Sequence, residues 1–192
     1  MSVQKLRNSL IQLIPNRKLK YWLSYNYGWF PGNFVAPDVR ISAIKKLKLG
    51  GNVWIGGYGA AIHAGGGIKI GRNTKIGEGC FFISSNHNYM SKTHVPFDNI
   101  GLLQSIEIGE NCWIGARCMI CPGVKIEDGA IIAMGSVVSK SVPKCAIVGG
   151  NPARIIGWRN KEEYENNAKL NRTYHEEPTI DTTVEGFKEF LK

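Results

Sequence analysis

Long apolar runs are missing from this chain. No stretch approaches the roughly 18 consecutive apolar residues of a bilayer-spanning helix, so an ordinary membrane span is excluded. The first thirty residues also lack a compact apolar segment followed by a small-residue cleavage site, so no secretory leader is expected and a cytoplasmic chain is the default. Cysteine is sparse and odd in number, five in all, which argues against a closed disulfide framework and favours buried thiols over a zinc site. Acid is nearly absent from the first part of the chain. Residues 1–77 hold twelve Lys/Arg and a single acid, Asp38, whereas the remainder holds twelve bases and fourteen acids. That imbalance implies an anionic partner: an acidic lipid, a phosphorylated small molecule or a nucleic acid. No nucleic-acid-binding motif accompanies the charge, so nucleic acid is not expected.

What is present is a six-residue period. From Ile108 the chain reads IGENCW, IGARCM, ICPGVK, IEDGAI, IAMGSV, VSKSVP. An aliphatic residue opens each unit (Ile108, Ile114, Ile120, Ile126, Ile132, Val138), and the fifth place is small or β-branched (Cys112, Cys118, Val124, Ala130, Ser136, Val142). Neither a helical period nor plain alternation explains this. Hexads are the mark of a parallel β-helix. Each unit supplies one short strand and one corner, and three units close a triangular coil, so residues eighteen apart stack. The opening aliphatic fills the prism, and glycines such as Gly109, Gly115 and Gly129 sit near corners where a side chain is costly.

The chain divides into three parts. Residues 1–33 form a non-repeating, basic and aromatic segment in which Leu6, Leu10, Leu13 and Ile14 follow helical spacing up to Pro15. It is expected to be a helical cap over the open end of the solenoid, and its Lys/Arg and Trp/Tyr content also suits an acidic membrane face. Residues 34–158 form the β-helix. Its hexads start near Val35, slip at AIHAGGGIK and resume at Ile70. Regular repeats stop after Phe82 and return near Ile106, leaving a polar excursion over 83–105 that carries His87 and His94, two of only four histidines. A long departure from a rigid scaffold is where function tends to sit. Residues 159–192 form a polar, partly helical tail, with helix expected over 162–171 and again near Phe187.

The excursion SSNHNYM, followed by IGENCWIGARCMICPGVKIEDGAIIAMGSVVSK and VPKCAIVGGNPARIIG, resembles the hexapeptide-repeat acyltransferases, in particular the maltose/galactoside and polysaccharide O-acetyltransferase branch. The resemblance covers about residues 35–158. It implies an all-β fold, a left-handed parallel β-helix, assembled as a homotrimer with acetyl-CoA in a groove between neighbouring prisms. The handedness comes from the resemblance, since the general rule for parallel crossovers favours the right-handed form.

The resemblance also assigns roles. His87 becomes the general base, taking the proton of a sugar hydroxyl as the oxygen attacks the thioester; an imidazole titrates in the range this needs. The thioester is already activated, so direct transfer in a ternary complex is expected. Trp113, after Asn111 in an N-x-W pattern, borders the reaction centre. The turn at Gly115 and Ala116 offers a backbone N–H to the developing oxyanion. Met134, Ser139 and Lys140 line pantetheine and phosphate, although Met134 stands where the family usually has a small residue. Lys140 and Arg154 are counter-charges for the cofactor phosphates. Ser85, Asn86 and Tyr89 are placed on the acceptor side by adjacency alone.

The expected activity is therefore acetyl-CoA-dependent O-acetylation of a saccharide, or of a nucleotide- or lipid-linked sugar, in surface polysaccharide biosynthesis. No metal is expected. Three alternatives are an amino-sugar N-acyltransferase, a zinc-dependent hydration enzyme of this fold, for which His87 and His94 are too widely spaced, and a non-catalytic β-helix binder. His63 is expected to be structural and His175 lies in the tail.

Overall fold

The structure is a computed structural model that describes Leu13 and residues 32–171. The expected helical cap and the helix near Phe187 lie outside the described residues.

The chain winds through three parallel sheets in strict rotation, A then B then C. The first coil is β1 (Phe34–Val35), β2 (Arg40–Ser42) and β3 (Leu47–Leu49); the second is β4 (Trp54–Ile55), β5 (Ala61–His63) and β6 (Ile68–Ile70). The third begins with β7 (Lys75–Ile76) and β8 (Phe81–Ile83), departs through β9 (Ser85–His87) and β10 (Gly101–Leu103), and closes with β11 (Ile106–Ile108). A fourth follows as β12 (Trp113–Ile114), β13 (Met119–Ile120) and β14 (Lys125–Ile126), then β15 (Ile131–Ile132) and β16 (Val137–Val138). The chain ends as a hairpin of β17 (Ala146–Gly149) and β18 (Arg154–Trp158), then helix α1 (Lys161–Lys169).

Register confirms the hexads. Ile108 pairs with Ile126, Ile114 with Ile132 and Ile120 with Val138, eighteen residues apart in each case. Every opening aliphatic from Ile108 to Val138 is buried, and so is every fifth residue from Cys112 to Val142. Fully burying one such aliphatic contributes about 1.5–3 kcal/mol. Earlier coils are longer, with Ile41 opposite Ile62 and Ile55 opposite Ile76, twenty-one residues apart. The extra residues sit in the corners, as the slip at AIHAGGGIK foretells.

One expectation is corrected. Val142 does not act as the fifth residue of a last regular unit. It bridges to Ile126 and so takes the opening place of the next coil, reached in four residues from Val138 instead of six. The corner is shortened, and the following strand re-enters sheet A with Ile132 opposite Val148.

Two kinds of corner glycine are needed for different reasons. Gly129 has φ +69°, a conformation that L side chains resist. Gly115 has an ordinary φ, but a Cβ there would lie 2.6 Å from the backbone nitrogen of Met134 in the coil above.

The cysteines are free, and Cys80, Cys112, Cys118 and Cys145 are buried. Cys118 and Cys121 stand in a C-x-x-C spacing, yet the extended strand β13 runs between them. Three extended residues span about 10 Å, beyond the roughly 7 Å Cα limit for a disulfide. The buried thiols donate instead to carbonyls of a neighbouring coil: Cys80 to Gly115 at 3.1 Å, Cys112 to Glu127 at 3.2 Å and Cys118 to Ala133 at 3.2 Å.

Candidate active site

The excursion is not irregular throughout. Its base is an antiparallel ladder in which Ser85, Asn86 and His87 face Leu103, Leu102 and Gly101. Buried Ser84 ties the neck to the prism: its hydroxyl donates to the His63 carbonyl at 2.9 Å and accepts from the Gly66 amide at 2.9 Å. The Gln104 amide closes the neck on the Ser84 carbonyl at 3.0 Å. Farther out, Asp98 accepts from the Asn88 side chain at 2.8 Å and from the Ile100 amide at 2.9 Å. The Ile100 N–H foremost holds the Asp98 carboxyl below its ordinary range.

His87 is exposed at the end of β9. Its imidazole stacks on Phe97, centroids 3.9 Å apart and planes 13° from parallel. The stack uses a ring face, and neither ring nitrogen makes a hydrogen bond among the described residues. The Tyr89 amide donates to the His87 carbonyl at 2.9 Å, which places Tyr89 beside it in the turn. His94 has its Nδ1 against the Thr93 hydroxyl at 2.9 Å, and His63 has its own against the Ser42 hydroxyl at 3.2 Å.

Trp113 projects from sheet A, between Lys75 and Ile131 in register. The next corner, between sheets A and B, carries Gly115 and Ala116. Met134 lies on that same corner one coil on, and the Gly135 amide donates to the Ala116 carbonyl at 2.8 Å. Met134 is 75% exposed, so its side chain lies along the outside of the prism and not in it. Ser139 and Lys140 follow β16 and lie on the other corner, between sheets B and C, where the excursion also leaves. Arg154 opens β18, with its guanidinium donating to the Ala153 carbonyl at 2.9 Å. The structure thus brings Ala116 together with Met134 on one corner. It puts Ser139, Lys140 and the root of the His87 arm on the next.

The thiols beside these corners are buried and differ in acidity: the hydrogen bond shared with Cys80 lowers Cys118, whereas its neighbours are raised. Burial pushes Cys112 up to about 12, and a hydrogen bond shared with Cys118, together with burial, raises Cys80. Among the described residues no three His, Cys, Asp or Glu groups cluster to hold a metal ion.

Sequence reasoning passed over two features. Phe97 carries no motif, and only coordinates reveal the stack. The other left a trace: asparagine recurs at the fourth hexad place in Asn52, Asn73 and Asn111. All three have positive φ, at 49°, 61° and 55°, which asparagine tolerates better than most residues. Their amides form a ladder, Asn52 to Asn73 at 2.8 Å and Asn73 to Asn111 at 3.1 Å, ending on the Tyr164 hydroxyl at 3.4 Å. Tyr164 reaches that point because its ring lies over Gly129, where a Cβ would come within 2.5 Å of it.

Comparison with known proteins bears on the fold and the family. Residues 105–140 match the family model described as bacterial transferase hexapeptide (six repeats). The putative colanic acid biosynthesis acetyltransferase WcaF of Escherichia coli strain K12 is 32% identical over 129 residues, 67% of this chain and 68% of that protein. A chloramphenicol acetyltransferase of Escherichia coli is 33% identical over 156 residues, covering 78% and 70%. Among solved structures, a hexapeptide-repeat acetyltransferase of Vibrio cholerae O1 biovar eltor, complexed with acetyl coenzyme A, superposes with TM-score 0.62 and 26% identity over 81% of this chain and 85% of that one.

Proposed function

The chain belongs to the hexapeptide-repeat acetyltransferases, and from that premise we propose that it transfers the acetyl group of acetyl-CoA to a hydroxyl of a saccharide, with His87 as general base. The observation that carries the reading is an imidazole held by stacking alone, its nitrogens free for substrate, on an arm rooted beside the corner of Ser139 and Lys140. One ring nitrogen takes the hydroxyl proton while the oxygen attacks the thioester carbonyl. The Ala116 N–H bonds the oxyanion. The C–S bond breaks, and the leaving thiolate recovers the proton from the imidazolium.

Acetyl-CoA lies in this reading along Trp113, Gly115, Ala116 and Met134, with Lys140 and Arg154 on its phosphates. The division of these residues between two corners supports a site completed by a second copy, in a homotrimer of left-handed prisms. The handedness rests on the family resemblance. Sheet B supports an interface too: beyond Arg40 and the buried Ala61, its outward row continues as the apolar Phe81, Met119 and Val137, whereas sheet C presents Lys48, Lys69, Glu107 and Lys125. Ser85, Asn86 and Tyr89 flank His87 and so suit the acceptor.

Likeness to a colanic acid biosynthesis enzyme supports a saccharide acceptor in surface polysaccharide synthesis, and a cytoplasmic place of action is part of the same proposal. No helix among the described residues is long and apolar enough to cross a membrane. Attachment to the inner membrane face through residues 1–30 belongs to the reading as well. Deleting those residues is expected to abolish flotation with anionic liposomes, and equal partitioning would reject it.

The deciding experiment is thiol release from acetyl-CoA with a panel of sugars, nucleotide sugars, amino sugars and chloramphenicol, comparing wild type with His87→Ala. Transfer to a sugar hydroxyl that collapses in the variant upholds the proposal. Transfer confined to amines or to chloramphenicol replaces the acceptor, and undiminished transfer by His87→Ala removes the base.

A further inference from the structure

Between α1 and the outer side of sheet A lies a cavity of about 710 Å³. Lys75, Asn111, Trp113, Trp158, Arg159 and Tyr164 are among its lining residues. Of these, the acyl-transfer reading uses only Trp113, so the cavity extends away from the reaction centre.

Three observations define what fits it. Two indoles face it, Trp113 and Trp158, at 56% and 50% exposure; the Lys161 ammonium lies over the Trp158 ring, 5.4 Å from its centroid, and so covers one of its faces. Two cations, Lys75 and Arg159, line it beside a single carboxylate, Glu163, which pairs with neither of them. Lys75 is half-buried, donates only to the Asn52 carbonyl and side-chain oxygen at 3.0 and 3.3 Å, and has its pKa lowered by desolvation. Arg159 makes no ion pair, and its Nε is buried without a hydrogen-bond acceptor. A cation removed from water without a counter-charge is costly and favours an anion beside it. Third, the top of the amide ladder, Asn111, and the Tyr164 hydroxyl supply neutral donors and acceptors at the same wall.

Indole faces stack on the C–H face of a pyranose, amides and a phenol match its hydroxyls, and a pair of unpaired cations matches an acidic substituent. A bare inorganic anion has no use for the indoles, and a neutral alkyl ligand has none for the cations. We propose that this cavity is a saccharide subsite that binds an acidic sugar unit of the acceptor chain, next to the unit being acetylated. The identity of the ligand as acceptor rests on the acetyltransfer reading above, whereas its binding does not.

The test is calorimetric titration of the full chain without acetyl-CoA, using trigalacturonate, glucose 1-phosphate and maltotriose as probes. The first carries carboxylates, the second a phosphate and the third no charge. At least one acidic probe is expected to bind ten times or more tighter than maltotriose, with affinity falling as salt is raised. Trp158→Ala and Lys75→Gln are each expected to weaken it at least tenfold while acetyl-CoA affinity is retained. Arg159→Gln serves as the second cation variant if Lys75→Gln does not fold. Equal binding of acidic and neutral probes, no binding of any, or wild-type affinity in the folded variants overturns the proposal. Tight acidic binding in a protein that transfers no acetyl group would leave the subsite standing and remove the acetyltransfer reading instead.

Discussion

The two regions that the proposed chemistry needs are held by opposite means. The corner with Gly115 and Ala116 belongs to the prism. Its strands stack on a fully buried column, Ile76, Ile114 and Ile132, and coils approach so closely that a Cβ at Gly115 would meet the backbone above. The His87 arm is attached to the prism at a neck, and its own strands are short and exposed. Its shape comes from polar contacts around Asp98 and from one ring stack. An oxyanion donor must stay still, because its value lies in preorganisation. A proton acceptor must meet a substrate that arrives and leaves. Under the proposed mechanism each role falls on the kind of structure that suits it.

Substitutions on the two sides should therefore fail differently. Gly115→Val is expected to destabilise the fold by about 3 kcal/mol or more, since backbone and not a flexible side chain opposes it; urea denaturation measures this. Native stability in that variant would show the corner to be softer than its spacing indicates. His87→Ala is expected to leave the denaturation midpoint within about 0.5 kcal/mol of wild type, yet lower kcat by about 10²–10⁴. A large stability loss there would make the arm part of the core. Phe97→Ala is expected to lower kcat by about threefold to tenfold, the equivalent of one aromatic stack. The KM for acetyl-CoA should stay unchanged. Phe97→Tyr should restore the rate.

The smallest effect concerns pH. The Asp98 carboxyl is held below its ordinary range, so its contribution to the arm is present above the unfolded-state pKa and is lost as pH falls through the folded value. The protection factor of the Ile100 amide, its exchange rate relative to the intrinsic rate at each pH, should fall over that acidic interval while amides of β12 and β15 stay protected. Simultaneous loss of both would erase the distinction between arm and prism.

The prism could be read from residues because one short rule governs it. The opening aliphatic and the small fifth residue repeat, and every such position from Ile108 to Val138 is buried where the period puts it. The shortened corner at Val142 escaped the rule because a valine suits the fifth place as well as the first. The candidate site was legible only in part. His87, Trp113 and Ala116 stand out by their place in a motif, but the motif does not say which corner each one occupies. Phe97 and Asp98 act through contacts between residues ten or so apart in a segment without period. Trp158, Arg159 and Tyr164 meet Lys75 and Asn111 only because the β17–β18 hairpin carries α1 back across sheet A.

Across the excursion, partners stand thirty-eight residues apart in all three sheets: Ile70 with Ile108, Ile76 with Ile114, Phe82 with Ile120. The prism closes over the gap as though the intervening twenty residues were absent. The segment bearing the imidazole is thus a cassette, free to be lengthened, shortened or exchanged without re-threading the coils on either side. Changes of length within that cassette should therefore leave the stacking of Ile70 on Ile108 and of Ile76 on Ile114 as it is.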